Sequence, residues 1–125
     1  MVTRSAVARA ATLDVVAILC FVAVGRRSHD EGGNAVLGLV EVAAPLLIAA
    51  VVGWIVARAW RAPAALTTGA TVWVVTVALG MLLRRFVFDR GTATSFVVVA
   101  TIATGVLLLG WRLVAKAVQR ARRSS

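Results

Sequence analysis

The sequence predicts an all-α, polytopic membrane protein folded as a bundle of four transmembrane helices. Three observations carry that prediction: four apolar stretches long enough to cross a bilayer, basic residues gathered at their ends, and connections too short to hold a soluble domain. A hydrocarbon core about 30 Å thick needs about 20 predominantly apolar residues of helix, and such spans fall at about 9–25, 35–57, 63–85 and 94–112. Hydrophobic residues make up 61% of the 125-residue chain, and five acids face fourteen Lys and Arg. Ordinary soluble domains do not have this composition. A net charge of +9 would point to nucleic acid in a soluble protein. Here the cations sit at the ends of apolar spans, where they meet lipid headgroups, so no nucleic-acid partner is expected.

The first span follows Arg4 and Arg9 and precedes Arg26 and Arg27. Ala23-Val24-Gly25 loosely imitates a signal-peptide cleavage site, but Asp14 inside the apolar run and the length of the span favour its retention as a helix. Cys20 is the single cysteine; it can form no internal disulfide and is expected to be buried packing. Gly25 to Asn34 reads as a polar, turn-rich external loop, with Asn34 placed to cap the second helix. Pro63 suits the first turn of the third, where its missing N–H costs nothing. Thr92, Thr94 or Ser95 is placed to cap the fourth. Connections of about 9, 5 and 8 residues and short basic tails leave one compact domain over residues 1–125.

Orientation follows from the cations. An even number of spans puts both termini on one side, together with Arg4, Arg9, Arg58, Arg61, Arg112, Lys116, Arg120, Arg122 and Arg123; the other side holds Arg26, Arg27, Arg84, Arg85 and Arg90. A nine-to-five excess places both termini in the cytoplasm of a multi-pass cell-membrane protein. Trp54, Trp60 and Trp111 near the cytoplasmic ends read as interfacial anchors, and Trp73 near mid-span as internal packing. The basic tail from Lys116 to Arg123 suits contact with anionic lipid headgroups at that face.

Two landmarks repeat. Arg26-Arg27 recurs as Arg84-Arg85, 58 residues later, and Gly53-Trp54 recurs as Gly110-Trp111, 57 residues later. Two helical hairpins of like topology, related by an axis along the membrane normal, account for both offsets. The alternative is that Trp and Arg recur at span ends in any membrane protein.

Helical spacing sorts buried faces from lipid-facing ones. Ala6, Ala10, Asp14, Ala17 and Phe21 share a stripe on the first span. Gly38, Glu41, Pro45, Ala49 and Gly53 share one on the second, and Gly69, Trp73, Thr76, Gly80 and Arg84 one on the third. Small residues at such intervals let membrane helices approach closely, so these stripes are expected to line the bundle centre.

Asp14 and Glu41 require a reason to be there, since an intramembrane carboxylate costs up to about 3.5 kcal/mol unless paired, hydrated or protonated. Asp14 lies about 7 Å inside the cytoplasmic boundary and Glu41 about 10 Å below the outer one. Arg112 and Arg84 end spans at matching levels, which nominates the pairs Asp14–Arg112 and Glu41–Arg84. Such pairs fix helix register. The functional alternative is an unpaired acid that exchanges protons or binds a cation. Pro45 removes the hydrogen bond to the carbonyl of Glu41, which makes either an ordinary kink or a water or cation site. His29, Asp30 and Glu31 are three adjacent loop residues with no Cys or second His, a poor metal cage. No metal or other cofactor is expected.

At these residues the chain resembles the domain of unknown function 3054 family, small four-helix membrane proteins found mainly in actinobacteria and haloarchaea, over almost the entire chain. The family's acid early in the first helix is matched by Asp14, its Gly-Arg-x-Ser-His segment by Gly25, Arg26, Ser28 and His29, its proline in the second helix by Pro45, and its Gly-Trp-Arg by Gly110, Trp111 and Arg112. Leu46 stands after the proline where the family tends to have Phe. The resemblance implies an integral membrane protein and directs attention to Asp14, His29 and Arg112, while implying no activity.

Two functions compete. One is a structural or accessory bundle that packs against a membrane-protein partner or a second copy of itself. The other is a small proton- or ion-coupled transporter or channel built on Asp14 or Glu41, which would need a dimer to surround a path. No Ser/His pair, paired catalytic acids or metal-ligand spacing lies within the spans, so no enzyme is expected.

Overall fold

The computed structural model describes residues 2–29, 35–86 and 94–124. Four helices account for nearly all of them: α1 (Arg4–His29), α2 (Ala35–Ala57), α3 (Leu66–Phe86) and α4 (Thr94–Ser124). Each is long and apolar enough to cross a membrane, and no strand occurs among the described residues. This is an all-α four-helix bundle. Each helix packs on its two sequence neighbours in the ring, α1 against α2 and α4, and α3 against α2 and α4.

The helix bounds follow from local chemistry. Thr3 starts α1, its Oγ1 accepting the Ala6 N–H at 3.0 Å, as an N-cap does. Arg58, in the left-handed conformation at φ 50°, ψ 52°, ends α2. The chain then turns through a short 3₁₀ segment, Ala59–Arg61, before α3 begins at Leu66.

The structure corrects several expectations here. Gly25 does not end the first helix, which runs on to His29; a Cβ at Gly25 would meet none of the described residues within 4 Å. Arg26, Ser28 and His29 therefore belong to the last turn of α1 and not to a loop. Pro63 lies before α3, buried in the turn. The supposed C-terminal tail continues α4 to Ser124, about 18 Å beyond Arg112. Cys20 is exposed on the outside of α1 and fills no core gap. Asp30, Glu31, Asn34, Arg90 and Thr92 fall outside the described residues.

Small residues set the closeness of the helices. The most extensive pairing is α2 on α3, where a Cβ at Gly53 would stand 3.2 Å from the Val72 Cα, and one at Gly80 would stand 2.8 Å from the Leu46 Cδ2. Between α3 and α4, Trp73 lies on Gly105 and donates its indole N–H to the Thr101 carbonyl at 2.8 Å. Ile18, Val22, Val42, Leu46, Ala50 and Ala100 form the apolar core. Val15, Val51, Val74 and Val106 lie outside it, exposed. The anticipated stripes do face inward: Ala10 and Asp14 on α1, Pro45, Ala49 and Gly53 on α2, and Gly69, Thr76 and Gly80 on α3 are buried.

Candidate functional site

Asp14 sits on the inward stripe of α1, 2% exposed, and Arg112 faces it from α4 with no exposure at all. The guanidinium grips the carboxylate with both ends, Nη1 to Oδ1 at 2.8 Å and Nη2 to Oδ2 at 2.9 Å. Two indoles complete the carboxylate's shell. Trp111 Nε1 donates to Oδ1 and Trp54 Nε1 to Oδ2, each at 2.8 Å. A carboxylate offers about four acceptor positions, and all of them are filled.

Arg112 is held as firmly as its partner. Its Nε donates to the carbonyl of Pro63 at 2.9 Å, and Nη1 also reaches the carbonyl of Leu108 one turn back at 2.9 Å. Its Cζ stands 4.3 Å from the ring centroid of Trp111, within cation–π range. Gly69 on α3 makes room for the side chain, since a Cβ there would lie 2.7 Å from the Arg112 Cδ. One ion pair thus touches all four helices and the α2–α3 turn.

The inner pair expected from depth matching is therefore present, and the pairing with Pro63 explains why that proline is buried outside α3. Trp54 and Trp111, expected as interfacial anchors, donate their indole N–H groups to an acid inside the bundle. Trp60 is exposed. A signal for the tryptophans existed in the sequence. A buried carboxylate needs more donors than one arginine supplies, and the two repeated Gly-Trp dipeptides place N–H groups near its depth.

Glu41 and Arg84 are half-buried on the adjoining helices α2 and α3, and Pro45 is fully buried on α2. Among the described residues no three His, Cys, Asp or Glu side chains gather where they could hold a metal ion.

The family model described as "Protein of unknown function (DUF3054)" matches residues 11–115. The chain belongs to this family. The match contains the whole Asp14–Trp54–Pro63–Trp111–Arg112 cluster. No curated protein and no solved structure matches the chain.

Proposed function

We propose that this DUF3054 member is a structural or accessory component of the cell membrane, a helical unit that serves by packing against a membrane-protein partner or a second copy of itself. The observation that supports this reading is the saturation of Asp14. A proton or cation arriving at either oxygen must displace Arg112 or an indole, whereas a coupling acid needs an acceptor position open to its ion. The nine-to-five distribution of cations supports placing both termini in the cytoplasm, with the basic end of the bundle against anionic headgroups.

Glu41 supports a second reading, a small proton- or ion-coupled transporter. Pro45 lies inside α2 and lacks the N–H of the ordinary helical bond to the residue 41 carbonyl, which sets a kink or a polar backbone group beside a carboxylate. Against it stands the register of α2 on α3. Gly53 meets Val72 and Leu46 meets Gly80, and continuing this antiparallel pairing brings Glu41 level with Arg84. That supports the outer ion pair.

Proton and cation flux into proteoliposomes distinguishes the two. The accessory role predicts flux no greater than in protein-free vesicles for the wild type, Asp14→Asn and Glu41→Gln. Wild-type flux abolished by Glu41→Gln would establish the transporter instead. A reporter fused to the C-terminus, active only in the cytoplasm, tests the orientation; activity only outside overturns it.

A further inference from the structure

At the end of the bundle where α1 begins, a cleft opens between α1, the α2–α3 turn and the outer part of α4. It has two lobes that share Ala6, Pro63, Ala64, Ala115 and Gln119. One lobe, about 640 Å³, carries Arg61 and Lys116; the other, about 540 Å³, carries Arg9 beside Leu13, Trp111 and Val114. Each is of the size that holds a small molecule, roughly 300–1,000 Å³. Apart from Thr3, Thr67 and Gln119 the rest of the lining is apolar, and no Asp or Glu lines either lobe.

Depth and chemistry together select the ligand. Arg9 stands five residues before Asp14 and Lys116 four beyond Arg112, so both cations lie about 6–8 Å outward of the buried pair. That is where headgroups meet hydrocarbon if the bundle spans the membrane as proposed. All three cations are exposed. A cationic mouth over an apolar floor at this level fits an amphiphile with its anion joined directly to hydrocarbon. A soluble anion would leave the apolar lobe unfilled, and an acidic peptide would have to carry polar backbone into it.

We propose that this cleft binds one anionic glycerophospholipid, its phosphate held by Arg61 and Lys116 with Arg9 alongside, and the start of its acyl chains lying on Leu13, Pro63 and Val114. The site differs from diffuse attraction by a basic helix end, because the lipid enters between helices. It also shares its walls with the ion pair: Pro63 supplies the carbonyl that receives Arg112 Nε, and Trp111 donates to Asp14. An occupied cleft therefore braces the cluster that ties the helices together, and the ligand stabilises the fold through linkage. The inference rests on the membrane placement proposed above but not on the absence of transport, so flux and lipid measurements fail independently.

The test is thermal unfolding of the purified full chain in mild detergent, titrated separately with phosphatidylglycerol, phosphatidylcholine and inorganic phosphate. Phosphatidylglycerol is expected to raise the midpoint saturably, and the other two to leave it unchanged. Arg61→Gln and Lys116→Gln should each shift half-saturation about fivefold upward, the value of one headgroup-level cation. Arg123→Gln, at the far end of α4, should not shift it. Ala64→Phe, which fills the floor without changing charge, should weaken the response while Arg123→Gln retains it. Equal effects of Arg61→Gln and Arg123→Gln, a matching response to phosphatidylcholine or phosphate, or an unaltered response in Ala64→Phe would each overturn the proposal.

Discussion

Trp54 and Trp111 reach the same carboxylate from helices that lie across the diagonal of the bundle, each indole nitrogen 2.8 Å from a different oxygen of Asp14. Hydrogen bonds to a charged group are worth about 1.5–3 kcal/mol. Lipid tails give helices no hydrophobic reason to associate, so packing and polar contacts must hold the bundle. Trp54→Phe and Trp111→Phe are each expected to lower unfolding free energy in detergent by at least about 1.5–3 kcal/mol, since the donor leaves and a smaller aromatic ring replaces the indole. Trp111→Leu should cost about 0.5–2 kcal/mol more, because Arg112 also loses the ring face. Equal losses for Trp111→Phe and Trp111→Leu would remove the cation–π contact from the account.

Asp14 and Arg112 are buried together, and the cost of separating them is asymmetric. Removing one partner strands a charge away from water, which costs about 3–5 kcal/mol in buried pairs, whereas replacing both with apolar residues strands none. Asp14→Leu and Arg112→Met are each expected to destabilise strongly, and the double variant to lose clearly less than the sum. The double variant does not regain wild-type stability, because the indoles of Trp54 and Trp111 and the carbonyl of Pro63 lose their partner. Strictly additive losses in a double-mutant cycle would show that the two groups do not act together.

How much of this is legible in the sequence depends on what kind of signal each residue carries. Span number and inward stripes are periodic properties of the chain, and Asp14 and Arg112 declared each other by depth alone. The tryptophans did not, because an indole near a span end has two good destinations, the headgroup region and a buried acceptor. Periodicity does not choose between them. Pro63 misled for a related reason. A proline at the start of an apolar run fits a helix's first turn, and what removes it from α3 is its carbonyl's contact with Arg112 from α4, a long-range demand. The C-terminal extension of α4 resembles a tail in sequence because its cations end the apolar span. Yet Leu113, Val114, Ala117, Val118 and Ala121 keep a helical stripe through it.

Two glycines close to the ion pair offer a contrast that depends on the packing alone. A Cβ at Gly69 would lie 2.7 Å from the Arg112 Cδ and 3.0 Å from the Leu109 Cδ2, while one at Gly110 would meet nothing within 4 Å. Gly69→Ala must push Arg112 out of a seat fixed at Asp14, Pro63 and Leu108, so a loss of about 1–3 kcal/mol is expected, as for overpacking. Gly110→Ala, inside α4, is expected to gain up to about 1 kcal/mol from helix propensity. Unfolding measured side by side checks both, and a Gly69→Ala variant as stable as Gly110→Ala would mean that Arg112 is not confined where the structure places it.

Thr76, on the same inward stripe of α3, makes the opposite prediction from a polar residue. It is fully buried, and its Oγ1 has no hydrogen-bond partner among the described residues, unlike Thr71, Thr101 and Thr104, whose hydroxyls donate to the carbonyl four residues back. A buried hydroxyl left unsatisfied costs about 1–3 kcal/mol. Thr76→Val keeps the branched shape and deletes the polar atom, so it is expected to stabilise the bundle by about 1 kcal/mol or more. Comparing unfolding of Thr76→Val with Thr101→Val gives the sign: the second should lose stability, because its hydroxyl is satisfied and the helix packs around it. If Thr76→Val instead destabilises the protein, that hydroxyl has a partner, and a water molecule or ligand belongs between α3 and its neighbours.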